Sequence, residues 1–391
     1  MLNTPFSPWP SFSLEEADAA RSVILSNRVN YWTGDQCRQF EDEFADWSEC
    51  KHAIALANGT VALDLALNAL DIGAGDEVIV TPRTFLASAS CIVNAGAVPV
   101  FADVDRDTQN ITADTIRKVL SPRTKAIICV HLAGWPCDMD PIMELADQFG
   151  IKVIEDCAQA HGARYKERSV GGIGHIGAWS FCQDKIMTTA GEGGMVTTND
   201  RDLWLKMWSF KDHGKSWDAV FQREHPPGFR WLHESFGTNW RMIEVQAAIG
   251  RIQLDRMAEW HKRRIANAQK IWGVASSISG LRVPIPDFDC EHAAYKCYVF
   301  VEPEKLLPGW GRDRIVHEIM AAGVPCYSGS CSEIYLEKAF EGTGWRPASR
   351  LTVARELGET AIMFLVHPTL MDSEMEKTCQ VLTAVMAQAA A

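Results

Sequence analysis

Residues 153–199 decide both the fold and the chemistry of this chain; they read VIEDCAQAHGARYKERSVGGIGHIGAWSFCQDKIMTTAGEGGMVTTN. The apolar run that opens this stretch ends in an acid, Asp156. A second apolar run, residues 178–182, is followed by Lys185, and a Gly-rich turn then leads into a third strand-like run at 195–198. The pattern predicts an Asp and a Lys at strand ends that face a common site. Such a pair is what a pyridoxal phosphate enzyme needs, since the lysine forms the Schiff base and the carboxylate partners the pyridinium nitrogen.

From residue 52 onward, strand-like runs alternate with helical patterns. The strand-like runs are 53–56, 77–80, 98–101, 126–130 and 152–155, and the helical patterns between them are 60–70, 85–95, 112–120 and 139–149. Strands that alternate with helices of this length predict parallel strands joined by right-handed crossovers. Continuous apolar runs predict strands buried on both faces. The expected fold class is α/β, with a three-layer large domain around a mostly parallel sheet.

Both flanks of this alternating region are predicted to be structured. Ser13 and Glu16 form a capping box that opens a helix, and residues 242–274 are predicted to form one long linking helix. A strand at 298–302 and helices near 312–322, 350–356 and from Asp372 predict a smaller α+β domain. With 391 residues the chain is long enough for two cores. We therefore expect a large domain over 1–279 and a small C-terminal domain over 280–391.

Composition excludes several classes of function. The net charge of −12 and the scattered Lys and Arg residues oppose nucleic-acid binding. No apolar run is long enough to span a bilayer and no secretory signal opens the chain, so a cytoplasmic protein is expected. The twelve cysteines include no Cys-x-x-Cys pair, and no metal site is predicted. The basic run 261–264 is interpreted as a solvated helix face.

Residues 172–177, GIGHIG, match the dinucleotide-binding pattern G-x-G-x-x-G. That pattern must follow a strand and open a helix. Here it follows a charged segment and precedes a predicted strand. NAD binding is therefore rejected.

Other residues at predicted strand ends have chemistry suited to a ligand. Gly59 and Thr60 open a helix after a strand, where free N–H groups bind phosphate, although an ordinary Asn-Gly turn is the plainer reading. Phe85 could stack on a flat ring or serve as a core aromatic. Asp156 could equally cap the next turn. Gln159 lies in the same turn as Asp156 and could hydrogen-bond a ligand.

Lys185 is the sharpest of these candidates. Its apolar neighbours Phe181, Ile186 and Met187 predict partial desolvation, which favours the neutral, nucleophilic form of a lysine. An exposed surface lysine is the alternative. Each candidate is weak alone, but the set supplies a phosphate cradle, a stacking aromatic, a carboxylate and an amine.

At this point the chain resembles the DegT/StrS family of sugar aminotransferases, over nearly its whole length. The resemblance rests on these segments: NGTVALDLAL (58–67), GAGDEVIVTPRTF (73–85), GAVPVFADVD (96–105), EDCAQAHGA (155–163), SFCQDK (180–185), GEGGMVTTND (191–200) and GTNWRMIEVQAAIG (237–250). It implies the fold-type I pyridoxal phosphate architecture. It also implies transfer of an amino group from an amino acid, with L-glutamate expected, to a nucleotide-linked keto-sugar.

The resemblance implies a role at each matching position. Lys185 is the expected aldimine lysine and proton shuttle, and Asp156 the partner of the ring nitrogen. The other cofactor-binding residues implied are Gln159 at the ring hydroxyl, Phe85 on the ring face, and Gly59, Thr60 and Ser180 at the phosphate. Asn239 matches a residue that a neighbouring subunit contributes to the phosphate site, so a homodimer with shared active sites is expected.

Substrate contacts are predicted at Trp32, His161 and Lys296. Two departures from better-known family members, at 211–236 and 327–336, are expected to set the choice of sugar. Two alternatives stay open at this point: a sugar dehydratase of the same family, which Lys185 disfavours because the best-known type carries His there, and a non-catalytic sensor or scaffold that keeps the fold.

Overall fold

The computed structural model describes residues 5–225, 227–228, 230–286 and 289–390. The predicted capping box is confirmed, because Ser13 and the Glu16 side chain bond each other's backbone N–H groups at the start of the first helix. The helices of this part of the chain are α1 Leu14–Leu25, α2 Gln36–Trp47, α3 Gly59–Ala69, α4 Ala87–Asn94, α5 Ala113–Arg117, α6 Met139–Phe149, α7 Arg201–Lys211, α8 Trp217–Phe221, α9 Glu244–Asp255, α10 Met257–Ala275, α11 Arg312–Ala321, α12 Thr352–Thr360 and α13 Asp372–Ala389.

The strands form three sheets. In chain order they are β1 His52–Leu56, β2 Glu77–Val80, β3 Val98–Phe101, β4 Thr124–Val130, β5 Lys152–Asp156, β6 Arg164–Tyr165, β7 Arg168–Ser169, β8 Ile176–Ser180, β9 Gly194–Thr198, β10 Leu281–Arg282, β11 Cys290–Glu291, β12 Cys297–Val301, β13 Cys326–Tyr327 and β14 Ala361–Phe364.

The large sheet has seven strands in the order β1-β9-β8-β5-β4-β2-β3. Strands β8, β5, β4, β2 and β3 are mutually parallel, whereas β9 runs antiparallel to both of its neighbours. The prediction of a mostly parallel sheet is confirmed. Strands β2, β5 and β8 are almost wholly buried on both faces, as their continuous apolar runs indicated, whereas the edge strand β3 is buried only at alternate residues.

This topology gathers several strand ends at one edge of the sheet. The register pairs Val130 with Asp156, and Asp156 with Ala178, so β4, β5 and β8 end side by side. Ligands bind at the carboxyl ends of parallel strands in such sheets. The turns that follow these strands therefore define the place to look for a site.

The C-terminal part is built on a second, antiparallel sheet in the order β10-β12-β14-β13. One face of this sheet is covered by an apolar core that includes α13 and the C-terminal half of α10. The α+β character predicted for this part is thus present, although the short strand β14 was not predicted. The boundary between residues 279 and 280 stays a prediction.

Three local predictions are wrong. The helix expected over 242–274 is two helices, α9 and α10, which meet at Arg256, whose guanidinium pairs with Glu15 and Glu16. The segment 211–239, expected to be irregular, contains α8. In the basic run 261–264, Arg264 is buried rather than solvated. No helix within the described ranges is long and apolar enough to cross a bilayer.

Candidate active site

A cavity of about 550 Å³ lies at the carboxyl-end edge of the large sheet. It contains every cofactor-binding residue predicted from the sequence except Asn239. The residues that line it are Asn58, Gly59, Thr60, Val61, Leu63, Thr84, Phe85, Ala87, Ser88, Val130, Asp156, Ala158, Gln159, Ala178, Trp179, Ser180, Cys182, Asp184, Lys185 and Glu192.

One end of the cavity is the N-terminus of α3. Asn58 caps this helix, its side chain accepting a hydrogen bond from the Val61 N–H at 3.0 Å. The first N–H groups of a helix have no partner within the helix, which leaves those of Gly59 and Thr60 to face an anion. The Ser180 hydroxyl lies next to them, so this end of the cavity suits a phosphate.

The backbone is too closely packed at this end for larger side chains. A Cβ at Gly59 would lie 2.5 Å from the Cβ of Ser180, and one at Gly194 would lie 2.3 Å from the Asn58 carbonyl oxygen. Glycine at these two positions lets β8, β9 and the N-terminus of α3 approach one another. The phosphate-binding end of the cavity therefore depends on the close packing of β8 and β9 as well as on the Asn-Gly turn before α3.

Asp156, the last residue of β5, supplies the buried anion of the cavity. Its Oδ2 accepts a hydrogen bond from the Ser88 hydroxyl at 2.7 Å, and its Oδ1 accepts one from the Ala158 N–H at 3.1 Å. Burial raises the pKa of Asp156, and the Ser88 hydroxyl is the strongest of the contacts that oppose this rise. A cation placed against this carboxylate would relieve the cost of its burial.

Gln159 and Phe85 both line the cavity, but Gln159 is held by a hydrogen bond whereas Phe85 is largely exposed. The Oε1 atom of Gln159 accepts a hydrogen bond from the Ala133 N–H at 2.8 Å, which leaves the amide hydrogens of Gln159 as donors. Phe85 is 72% exposed. A large apolar ring with that exposure at the cavity wall is suited to stack on a flat ligand.

Lys185 follows β8 in a tight turn, and its side chain is only 15% exposed. Its Nζ lies 3.6 Å from Asp184 Oδ1 and 5.3 Å from the centre of the Tyr295 ring. The backbone is held from the other side, because the Trp9 indole N–H donates to the Lys185 carbonyl at 2.8 Å. The desolvation predicted for Lys185 is thus present, and an amine with one adjacent carboxylate faces the cavity.

Four residues predicted for the site lie away from this cavity. Asn239 is exposed and pairs with Asp212 through an isolated backbone bridge. The Trp32 indole N–H donates to Asp212 Oδ2 at 2.7 Å. His161 is fully buried beside Trp179, about 5.2 Å between ring centres. The roles of these residues stay predictions.

Lys296, the fourth, sits against the Tyr295 ring with its Nζ 4.7 Å from the ring centre. Burial lowers the pKa of Lys296 to about 8. Lys296 is therefore an amine of reduced basicity, but it does not line the cavity.

Sequence reasoning missed the residues that hold the predicted ones. Ser88 lies on α4 and gave no local signal; its hydroxyl lies 2.9 Å from that of Thr84, which precedes the helix. Asp184 could have been noticed beside Lys185. Trp9 and Tyr295 reach Lys185 and Asp184 from more than a hundred positions away along the chain, a separation that no local pattern reveals.

A buried group of His131, Glu155 and Cys157 brings possible metal-ligand atoms within 4.8 Å of one another. Its polar atoms already have partners. His131 Nδ1 accepts from the Cys137 N–H and its Nε2 faces Glu155 Oε2 at 3.0 Å, while Glu155 also accepts N–H bonds from the Gly-rich turn 171–174. The turn that imitates a dinucleotide motif thus binds a protein carboxylate, and it leads into strand β8 rather than a helix.

The model of the DegT/DnrJ/EryC1/StrS aminotransferase family matches residues 11–383. The chain belongs to this family. The resemblance stated from its motifs is therefore confirmed, and with it the aminotransferase class of enzyme.

Similar proteins agree with this assignment. An aminotransferase from Psychrobacter cryohalolentis has a solved structure with a TM-score of 0.96 and 64% identity, covering 98% of this chain and 99% of that one. GDP-perosamine synthase of Caulobacter vibrioides is 44% identical over 63% of this chain and 67% of its own length. The dTDP-3-amino-3,4,6-trideoxy-alpha-D-glucose transaminase of Streptomyces venezuelae is 32% identical over 95% of this chain and 91% of its own length.

Proposed function

We propose that this chain is a pyridoxal phosphate-dependent aminotransferase that moves an amino group from an amino acid to a nucleotide-linked keto-sugar. L-Glutamate is the expected donor. The observation that carries the proposal is the placement of Lys185, Asp156 and the N-terminus of α3 around one cavity. Family membership and the named sugar products of the relatives support the class of acceptor.

The residues present fit pyridoxal phosphate. The cofactor requires an amine for its aldehyde, an anion for its ring nitrogen and donors for its phosphate. Lys185 is the amine, Asp156 the buried anion, and Gly59, Thr60 and Ser180 are the donors. Each lines the same cavity of about 550 Å³, a volume typical of cofactor sites.

When bound, the cofactor supplies an electron-withdrawing ring that stabilises the negative charge developing on the substrate carbon. Asp156 holds a proton on the ring nitrogen, and since Asp156 is buried its charge is weakly screened by solvent. With the cofactor bound, Lys185 Nζ would take the proton from the substrate carbon as general base and would return it to the cofactor carbon as general acid. The Gln159 amide and the Phe85 ring orient the ring of the cofactor.

The donor and acceptor half-reactions can be tested separately. Full-length protein loaded with pyridoxal phosphate is mixed with L-glutamate, and loss of the visible absorbance band is followed. A panel of GDP-, dTDP- and UDP-linked keto-sugars is then added, and the products are weighed by mass spectrometry. We expect a product in which an amine replaces the carbonyl oxygen.

Two variants frame this test. Lys185→Ala should abolish both half-reactions. Lys206→Ala is the control and should leave both half-reactions intact. It removes an exposed lysine of α7 that pairs with Asp71, in the turn between α3 and β2. No absorbance change with any amino donor would refute the proposal. A sugar product that has lost oxygen without gaining nitrogen would identify a dehydratase instead.

A further inference from the structure

Three side chains form a continuous contact at the proposed reactive amine. The Tyr295 hydroxyl donates to Asp184 Oδ2 at 2.5 Å, and the other oxygen of the same carboxylate lies 3.6 Å from Lys185 Nζ. The Tyr295 ring is buried and covers Lys185 Nζ at 5.3 Å. One face of the lysine ammonium is therefore in contact with an anion and an aromatic ring at the same time.

Asp184 is the carboxylate that pairs with Lys185, and other charged groups surround this pair. Lys296 and the buried Arg264 contribute positive charge to this region. Burial lowers the pKa of His161 to about 3, so its ring is neutral at physiological pH. Two other carboxylates line the cavity: Asp156, which accepts hydrogen bonds from Ser88 and Ala158, and Glu192, which lies beside the Cys182 thiol.

Asp184 is well suited to remain ionised. The Asp184 side chain is 60% exposed, so solvent weakens its interactions with charges. Partial desolvation opposes its ionisation, but the Lys185 charge and the Tyr295 hydroxyl outweigh that effect and lower the pKa of Asp184 below its ordinary value. Tyr295 itself is kept as a neutral donor, because burial and the Asp184 charge raise its pKa. The pair thus presents a fixed negative charge to Lys185 throughout the neutral range.

The contact also joins two parts of the fold. Asp184 lies in the turn after β8 of the large sheet, whereas Tyr295 precedes β12 of the C-terminal sheet. The position of the carboxylate beside Lys185 is therefore fixed by a residue more than one hundred positions away along the chain.

We propose that Asp184, oriented by the Tyr295 hydroxyl, is a positioning residue that holds Lys185 Nζ at the cavity through an ion pair when this amine is free and protonated. A half-buried ammonium needs a counterion, and Asp184 supplies it without occupying the cavity floor, where Asp156 lies. This inference rests on the proposed function in that Lys185 is taken to be the reacting amine.

The test measures how the acylation of Lys185 depends on pH. Cofactor-free, full-length protein is pulsed with acetic anhydride from pH 6 to pH 11, and the modified Lys185 peptide is quantified by mass spectrometry. Only the neutral amine reacts. Asp184→Asn should move the midpoint of this profile to lower pH by roughly one unit, since an opposite charge within about 4 Å favours the protonated amine.

Two further variants keep the interpretation specific. Tyr295→Phe leaves the ring and removes the hydroxyl donor, and it should move the midpoint in the same direction by about half as much. Asp138→Asn is the matched control, because Asp138 accepts a 2.5 Å hydrogen bond from the Tyr165 hydroxyl but does not line the cavity. It should leave the Lys185 midpoint unchanged.

An unchanged midpoint in both Asp184→Asn and Tyr295→Phe would overturn the inference. The proposed function is read out separately, by reductive trapping of pyridoxal phosphate on wild-type Lys185. A failure of that trapping would refute the cofactor assignment, while the acylation profile would still report whether Asp184 holds the amine.

Discussion

The strand-end turns and the segment 212–241 both contain residues predicted for one site, but only the strand-end turns line the cavity. The turns place Gly59, Asp156 and Lys185 around a single cavity, with buried hydrogen bonds behind them. In the segment 212–241, Trp231 and Phe236 are largely exposed and Asn239 lies away from the cavity. The first region forms its cavity within one chain, whereas the second presents apolar and polar groups that line no part of that cavity, as expected if they serve a second chain.

The largest expected effect is the loss of activity when a charged residue of the strand-end turns is replaced. Asp156→Asn should lower the rate of the glutamate half-reaction by roughly 10²- to 10⁴-fold, because the ring nitrogen loses its charged partner. The hydrogen bonds survive, since an amide can accept from Ala158 and donate to the Ser88 hydroxyl, which can turn to Thr84. Stopped-flow absorbance with L-glutamate measures this rate.

The same variant should be more stable than wild type without cofactor. Burial raises the pKa of Asp156 in the folded chain, so the unfolded carboxyl ionises first. Wild-type stability is then lost as pH rises above about 4 through the folded pKa. Asp156→Asn should gain about 1 kcal/mol at pH 7 and nothing near pH 3, as read from urea unfolding. If the variant and the wild type had the same free energy of unfolding at pH 7 as well as at pH 3, burial of the Asp156 charge would carry no cost.

A smaller effect tests whether the second region serves another chain. Asn239→Ala should weaken cofactor binding about 10- to 100-fold, the loss expected for one hydrogen bond to a charged phosphate. If two chains share their sites, a mixed dimer of Lys185→Ala and Asn239→Ala chains contains one intact site. It should recover about half of wild-type activity per dimer, by the proportion of intact sites in a shared-site dimer.

Purified mixed dimers, isolated with two different affinity tags, make this comparison quantitative. Each parent variant alone is the control. Activity no higher than that of the Asn239→Ala parent would place Asn239 in the site of its own chain, or in no site, and would remove the main difference between the two regions.

The smallest effect concerns His161, whose two ring nitrogens lack hydrogen-bond partners within the described residues. Because burial lowers its pKa to about 3, the wild-type chain loses stability as pH falls below about 6.5, where the unfolded ring binds a proton. His161→Phe should gain about 1 kcal/mol at pH 7 and more at pH 5. Thermal unfolding at the two pH values measures this gain.

His161→Phe should also retain most of the aminotransferase activity, because His161 does not line the cavity. A loss of more than about tenfold, which corresponds to about 1.4 kcal/mol of transition-state stabilisation, would instead support the substrate contact predicted from the sequence. The control is Phe181→Leu, which alters the same aromatic packing without removing an imidazole, at a residue that does not line the cavity.

These contrasts also show what the sequence could predict. Apolar runs and helical spacing identified strands β1 to β5, and the rule for parallel strands then placed Asp156 and Lys185 at one edge. The antiparallel course of β9 depends on its pairing with β1, which no local pattern encodes. Arg256, where the predicted helix is interrupted, likewise has distant partners, Glu15 and Glu16, which no local pattern reveals.

The residues of the site likewise fall into those that could be predicted from the sequence and those that could not. Residues that contact the cavity were predicted because Gly, Asp and Lys at strand ends carry recognisable chemistry. Residues that hold them, such as Ser88, Tyr295 and Trp9, are ordinary side chains whose importance comes only from tertiary contacts. Arg264 was misjudged for the same reason, since its charge suggested solvent while the fold stacks it on Trp9, 4.9 Å from the ring centre.

The most direct measurement of the central claim is to identify the lysine that binds pyridoxal phosphate. Wild-type protein is loaded with the cofactor, reduced with borohydride and digested, and the modified peptide is sequenced by mass spectrometry. We predict a phosphopyridoxyl group on Lys185 in stoichiometric amount. Modification of Lys296, whose pKa is lowered to about 8 by burial, or of no lysine at all, would contradict the account.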